Sequence, residues 1–476
     1  MNQFFGREAE MKGLKDLLRK KTSSLVVLRG RRRIGKSSLA EEFSKLFPTH
    51  YMFTGLPLSK NPNAKAQYKE FRRQLTEQGI PSYDSTDWGD LFSILAKHAQ
   101  EGQVLIVLDE ITWMGSKDPD FLGKLKIAWD LYFKKNPKLI LIISGSNSAW
   151  IEKNILSSTG FMGRVSHKIL LKELPLHVCN KFWGIKKDLI SPYEKFKILA
   201  LTGGVPRYLE EILIDMTAEE NISRLGFVNS GILFTEFENI FSDLFNGRHK
   251  KYRSVVKCLA NGSASLDQLS KKLKKSKGGD LSSALKDLEE SGFLSRDFTW
   301  QIKDGIPSKL SQYRLSDNYL RFYLKFIEPN KKTIEKQTFR GLPISWLSIM
   351  GLQFENLVLN NLNRIIDILN IPSHDLLTSS PYLQTKTIKR KKCQIDLMIQ
   401  TKFNQLYICE IKFSKNELGN EVINEVKNKI DSLERPKGFS CRPVLIHVNG
   451  VTESVIEKGY FSHIINFSDF LQESIT

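Results

Sequence analysis

The stretch from Gly30 to Ser37, GRRRIGKS, limits what this chain can fold into more than any other. It follows the apolar run Leu25-Val26-Val27-Leu28 and precedes the helix-forming Ser38-Leu39-Ala40-Glu41-Glu42-Phe43. A strand, a glycine-bearing loop and a helix start are the setting that the phosphate-loop pattern G-x-x-x-x-G-K-[ST], the Walker A pattern, requires. Gly30 and Gly35 let the backbone bend tightly and turn its N–H groups toward a phosphate. The helix N-terminus adds positive potential there. Lys36 is placed to reach the β- and γ-phosphates, and Ser37 to ligate Mg²⁺. Arg33, Ile34 and Ser38 fall in the same expected nucleotide-binding stretch, so ATP with Mg²⁺ is the expected ligand.

The parts that such a loop needs follow in order. Val104-Leu105-Ile106-Val107-Leu108 is a continuous apolar run, as in a strand buried on both faces of a parallel sheet. Asp109 and Glu110 stand at its C-terminal end, where open α/β sheets bind ligands. Asp109 is expected to hold Mg²⁺ through water, and Glu110 to orient or deprotonate the attacking water. A second buried run, Leu139 to Ile143, ends in Ser144-Gly145-Ser146-Asn147. Ser146 or Asn147 either senses the γ-phosphate or makes an ordinary strand-to-helix turn. Arg164, after the turn Phe161-Met162-Gly163, is either a finger that stabilises transition-state charge, in its own chain or on a neighbour, or one half of a surface salt bridge. Gly203-Gly204-Val205-Pro206 breaks one helix and starts another, with Pro206 near the first helical turn. That reads as a helical lid.

The length of 476 residues allows three or four domains. A net charge of +19, from 71 basic and 52 acidic residues, favours a polyanionic partner, most simply DNA, although solubility alone also accounts for such a surplus. The five cysteines, Cys179, Cys258, Cys393, Cys409 and Cys441, form no C-x-x-C pair, which points to a reducing compartment and no structural zinc. The first residues lack the apolar core of a signal peptide, and the longest apolar runs are too short to span a bilayer. A cytoplasmic protein with no membrane partner is expected.

Residues 246–335 change character. A helix at Tyr252–Leu259, a helix start at Ser265–Ser270, a third helix with Asp280 as N-cap, and strands at Phe293–Trp300 and Tyr313–Ser316 give the order of a winged helix-turn-helix. Such a module either enters the DNA major groove or packs within the protein. The acids Asp287, Glu289 and Glu290 beside Lys286 leave both open.

A second chemical constellation follows. Gln394 to Ile399 and Leu406 to Phe413 read as strands joined by Thr401-Lys402-Phe403-Asn404-Gln405. Side chains alternate along a strand, so Glu410 and Lys412 share a face. A hairpin symmetric about Phe403 sets Asp396 across from Glu410. Two carboxylates so paired, with Cβ atoms roughly 5 Å apart, repel each other. A divalent cation relieves that cost, and carboxylate oxygens suit Mg²⁺ or Mn²⁺. Lys412 would stand beside the metal to polarise a water, and Glu355, from a helix that begins near Gly351, would add a carboxylate. The basic run Lys386, Lys389, Arg390, Lys391 and Lys392 suits backbone phosphates.

Residues 1 to about 240 resemble archaeal and bacterial AAA-type ATPases of the STAND group, on FFGRE, GRRRIGKSS, VLIVLDE, ISGSN, Gly163-Arg164 and GGVPRYL. The resemblance implies ATP in the core, a helix after Phe4-Phe5 that covers the adenine, and a nucleotide-reading role for the turn at Pro206. Residues 345 to about 450 resemble PD-(D/E)xK nucleases, with Glu355, Asp396 and Glu410-Ile411-Lys412 in order and Ile395 in place of the proline before the aspartate. This implies metal-dependent cleavage of DNA. The expected fold is a multidomain α/β chain: a P-loop NTPase parallel sheet over 1–168, a helical lid over 169–245, a winged helix-turn-helix over 246–335, and a restriction-endonuclease-like α/β domain over 340–476. The expected function is an ATPase that controls a DNA endonuclease, in DNA processing or defence. The alternative is a nucleotide-dependent switch that binds DNA or protein through its winged helix and does not cleave. A homo-oligomer or a protein partner fits either.

Overall fold

The computed structural model describes residues 4–57, 63–115, 118–245, 249–386, 388 and 391–473. Lys389 and Arg390 of the basic run lie outside the described residues. The chain divides into two compact units, one chiefly Met1–Lys172 and the other Glu173–Phe241, Gly247–Glu289 and Phe293–Thr476.

The first unit is built on five parallel strands, β1 (Ser24–Gly30), β2 (Thr49–Thr54), β3 (Val104–Asp109), β4 (Leu139–Gly145) and β5 (Val165–Leu171), in the order β2-β3-β4-β1-β5. β1, β3 and β4 are apolar at nearly every position because both faces of the sheet are covered. Alternation along β1 sends Val26 and Leu28 into one core, with Leu39 and Phe43 of helix α2 (Lys36–Ser44) and Leu14 of α1 (Glu8–Leu17). Leu25 and Val27 enter the other core, where Trp88 packs among Phe71, Phe92 and Phe121. The C-terminal ends of β1, β3 and β4 carry the phosphate loop, Asp109-Glu110 and Ser146. The sheet therefore gathers three separate sequence motifs on one edge.

The second unit begins with the segment expected from the sequence to form a lid. Helix α3 (Pro192–Thr202) starts with Pro192 in its first turn, and the Ser191 side chain accepts the N–H of Glu194. It ends at Gly203, at φ 58, and a short helix starts at Pro206. At Gly204 a Cβ would lie 2.2 Å from the Leu174 carbonyl oxygen, so the chain approaches there as only glycine allows. After two more helices, Ala218–Gly226 and Ile232–Phe245, come α4 (His249–Leu259), α5 (Leu266–Leu273) and α6 (Asp280–Glu290), then an antiparallel ribbon of β6 (Leu294–Trp300) and β7 (Pro307–Leu315). β7 starts at Pro307, ahead of the expected Tyr313, because the polar stretch Pro307–Gln312 pairs through its backbone while its side chains stay partly exposed.

Helix α7 (Met350–Asn360) leads into a mixed sheet of β8 (Leu376–Gln384), β9 (Cys393–Thr401) and β10 (Gln405–Lys412). Helix α8 (Glu421–Ser432) then crosses over to β11 (Ser440–His447) and β12 (His463–Asn466). The order is β12-β11-β10-β9-β8, with the first three strands parallel and β9 and β8 antiparallel. The β9–β10 register runs Gln400↔Leu406, Ile399↔Tyr407, Met398↔Ile408 and Leu397↔Cys409. The hairpin is thus symmetric about Phe403. The ribbon docks on this sheet: Trp300 Nε1 donates to Gln400 Oε1 at 2.5 Å, and the Trp300 and Tyr382 rings meet edge to face at 5.1 Å.

Candidate functional site

In the first unit the phosphate loop is held open by backbone geometry. Arg33 and Gly35 both have positive φ, 69 and 88, which turns the loop back onto the start of α2. Gly30 lies so close to β5 that a Cβ would sit 2.7 Å from the Leu171 carbonyl oxygen. Lys36 is buried, and its ammonium donates to the carbonyls of Gly30 and Arg31 at 3.1 Å each, inside the loop it would leave for a phosphate. Ile34 is fully buried beneath the loop, and Ser38 starts the exposed side of α2.

The acidic half meets the loop directly. Ser37 Oγ donates to Asp109 Oδ2 at 2.6 Å, a hydroxyl and a carboxylate converging as the oxygen donors of Mg²⁺ do. Glu110 takes the left-handed conformation, φ 49. Its Oε2 accepts from the Ser146 N–H at 3.2 Å and from Ser146 Oγ at 2.9 Å. Burial pushes the Glu110 pKa up, with Lys36 opposing and Asp109 adding to the rise. A half-buried carboxylate with a raised pKa beside the loop lysine is a fitting acceptor for a water proton. Asn147 acts as a helix cap, accepting the Trp150 N–H at 3.0 Å.

Arg164 forms a two-pronged ion pair with Asp130, at 3.0 and 2.8 Å, which holds the Asp130 carboxyl well below the usual range. Pro206 opens the short helix Pro206–Leu209 in the second unit, and Arg207 beside it pairs with Glu210 and Glu211. Arg7 also touches the loop, although no motif position marks it. It is buried in the left-handed conformation, φ 68, and donates to the Ile34 carbonyl at 2.9 Å while pairing with Glu10. The signal was present as Gly6-Arg7-Glu8, but nothing in the sequence says which loop the guanidinium would clamp.

In the second unit Asp396 and Glu410 come together at one cation. Pairing of β9 with β10 stops at Leu397↔Cys409, and Asp396 Oδ2 accepts the N–H of Ile411 at 3.0 Å. The ammonium of Lys429, on α8, contacts Glu410 Oε2 and lies 3.6 Å from Asp396 Oδ1. Lys412 instead pairs with Glu425, one turn earlier on α8. Burial, reinforced by Asp396, pushes the pKa of Glu410 up. Burial works against the charged Lys429, yet Asp396 and Glu410 outweigh it and raise its pKa.

Glu355, on α7, stands on the other side of Asp396. Burial first, then Asp396, push its pKa up to about 7. Between the two lies a narrow cleft of ≈ 30 Å³, lined also by Thr299 and Arg314 of the ribbon and by Gln394. Among the described residues no group of three or more His, Cys, Asp and Glu side chains is arranged to hold a metal ion. The structure thus joins Asp396 to Glu410 and Asp396 to Glu355, without gathering all three carboxylates around one point. The Asp396–Glu410 donor set nevertheless fits a cation, because it already holds the ammonium of Lys429.

A buried polar network ties α7 to the rest of this unit. Gln353 Nε2 donates to the carbonyls of Ala200 on α3, at 2.6 Å, and Asn318, at 2.8 Å, while its Oε1 accepts from Arg321 at 2.7 Å. Asn356 Nδ2 donates to the Leu315 carbonyl at 2.8 Å, and Arg314 bridges Asn356 and Asp297. Burial lowers the Arg321 guanidinium to about 10.

No helix among the described residues is long and apolar enough to cross a membrane. An uncharacterised protein of Methanocaldococcus jannaschii is 25% identical over 379 residues, which span 76% of this chain and 79% of that one. A Walker-type ATPase of Pyrococcus abyssi superposes with a TM-score of 0.50 over 68% of this chain and 96% of its own, at 17% identity, a likeness of fold. Residues 4–212 match the family model described as an ATPase domain predominantly from Archaea; with its Walker residues assembled on one sheet edge, this part of the chain is an ATP-binding P-loop ATPase domain.

Proposed function

We propose that ATP binding and hydrolysis at the first site control a divalent-metal-dependent phosphodiesterase centred on Asp396 and Glu410, acting on DNA in processing or in defence against foreign DNA. The observation that supports this most is the single cation shared by those two carboxylates. A divalent ion there would polarise a phosphate and lower the pKa of a bound water. Asp396 and Glu410 would supply its oxygen ligands, Glu355 would support Asp396 from the far side, and Lys412 would face the water. Residues 246–335 are read as a winged helix-turn-helix, and exposed Lys271, Lys274 and Lys275 on and after α5 offer charge for a nucleic-acid backbone. Gln353 gives a route for control, since it joins α3 of the lid segment to the helix that carries Glu355.

At the ATP site, Lys36 would exchange its carbonyl partners for phosphate oxygens. Ser37 and Asp109 would hold Mg²⁺, Glu110 would orient the water, and Ser146 would fix Glu110. Arg164 remains proposed as a finger, in competition with its Asp130 pair.

A second reading, a nucleotide-dependent regulator with a non-cleaving C-terminal platform, draws on the same lysine: Lys429 already compensates both carboxylates. One experiment separates the two. Plasmid and linear DNA are incubated with the protein and Mg²⁺ or Mn²⁺, with and without ATP. Cleavage that is lost in Asp396→Ala and altered in Lys36→Ala supports the nuclease. Wild type that never cuts, or an Asp396→Ala variant that cuts equally fast, overturns it.

A further inference from the structure

We propose that Lys429 and a divalent cation compete for the same carboxylate oxygens, so that metal enters this site by exchange against an internal ammonium. The inference rests on the metal-site reading above and adds its regulation. The geometry carries it. Lys429 contacts Glu410 and lies 3.6 Å from Asp396 Oδ1, while Asp396 Oδ2 is taken up by the Ile411 N–H. A cation that bridges the two side chains through Asp396 Oδ1 and Glu410 Oε2 meets the oxygens that Lys429 already faces. Two cations cannot share them at contact distance without strong repulsion.

The backbone under Lys429 is fixed. Val422 and Val426 of α8 are buried, and Cys393 Sγ donates to the Lys429 carbonyl at 3.3 Å. Exchange is then a side-chain event, a swing of a flexible four-carbon stem whose side chain is 26% exposed. The displaced ammonium has a place to go. Glu425 lies four residues before Lys429 on the same helix, the spacing and polarity at which a glutamate and a lysine pair best. Glu425 now holds Lys412. A swing of Lys429 to Glu425 would release Lys412, which shares its strand face with Glu410, toward the metal.

The test is Mn²⁺ binding to the full chain, by titration calorimetry or by the loss of the free-ion paramagnetic signal, for wild type, Lys429→Met, Lys429→Gln and Asp396→Asn. Each variant is first shown to be folded by circular dichroism. Removal of the competitor is expected to tighten Mn²⁺ binding by about tenfold or more, and Mn²⁺ is expected to raise the melting temperature of Lys429→Met more than that of wild type. Equal or weaker Mn²⁺ affinity in both Lys429 variants, with binding that Asp396→Asn abolishes, overturns the exchange and leaves the metal site standing. Absence of any Asp396-dependent Mn²⁺ binding in wild type and variants alike overturns the metal-site reading and the exchange together. If Lys429→Met does not fold, Lys429→Gln, which keeps length and polarity, decides.

Discussion

Ser37 and Asp109 are joined by a 2.6 Å hydrogen bond from the serine Oγ to the aspartate Oδ2. It fastens the loop after β1 to the end of β3, two strands that are not neighbours in the sheet. Asp109→Ala should release that tie and deprive Mg²⁺ of its cradle. ATP turnover is expected to fall by about 100-fold or more, with nucleotide binding less sensitive to added Mg²⁺. A phosphate-release assay and fluorescent-nucleotide titrations with and without Mg²⁺ read both effects.

Glu110 accepts two hydrogen bonds from Ser146, so their variants should differ in degree. Glu110→Gln keeps size and donor contacts but cannot take a proton. It should bind ATP normally and turn over about 10²–10⁴-fold more slowly. Ser146→Ala should lose less, about tenfold, because the carboxylate survives and only its orientation relaxes. If Ser146→Ala were as slow as Glu110→Gln, positioning rather than proton transfer would be the larger part of the role of Glu110.

Arg7 donates from a buried guanidinium to the Ile34 carbonyl. Truncation to alanine removes a hydrogen bond from a charged donor, worth about 1.5–3 kcal/mol. Denaturant unfolding should show that loss in Arg7→Ala, and ATP affinity should drop as the loop loses its clamp. Unchanged affinity at reduced stability would confine Arg7 to a structural role.

Gln353 serves three partners from a fully buried position. Gln353→Ala leaves the Arg321 guanidinium and the Ala200 and Asn318 carbonyls short of partners, at a cost of about 2–3 kcal/mol. Under the proposed function it should also weaken the response of the carboxylate site to ATP. The comparison to make is DNA cleavage with and without ATP in the variant and in wild type.

The Arg164–Asp130 pair has a pH signature. The folded-state pKa of Asp130 is depressed, so its contribution is present above the unfolded value, about 3.9, and is lost as pH falls below that value. The melting temperature of Arg164→Ala should therefore lie below that of wild type near pH 7, and the gap should narrow below about pH 4. A gap that persists unchanged at pH 3 would mean that Asp130 is not what Arg164 stabilises. An accompanying loss of ATP turnover at pH 7 would support the finger role.

The central strands were legible because strands buried on both faces must be apolar throughout. Val104–Leu108 and Leu139–Ile143 can scarcely be read otherwise, and the phosphate loop announces itself by glycine spacing. The hairpin register followed from counting residues about Phe403. What stayed hidden depends on long-range partners of long polar side chains. Lys429 sits on an amphipathic helix, where a lysine ordinarily marks a solvated face, and only the fold turns it onto Glu410. Asp130 gives no hint of Arg164. Gln353 and Asn356 look like surface residues of α7, and their burial depends on which backbone carbonyls face them. The polar strand β7 was missed at Pro307–Gln312 because its pairing is a backbone matter.

The β9–β10 hairpin acts as a molecular ruler. Asp396 and Glu410 face one cation only because equal lengths of chain run from each to the tip at Phe403. Where the turn does not absorb it, one residue inserted or deleted between Thr401 and Gln405 would slip the register and turn one of the two side chains to the opposite face of the sheet. Chains that depend on this cluster should therefore tolerate almost any composition at the tip while holding its length constant. Length variation there would be the sign that the carboxylate pair has fallen out of use.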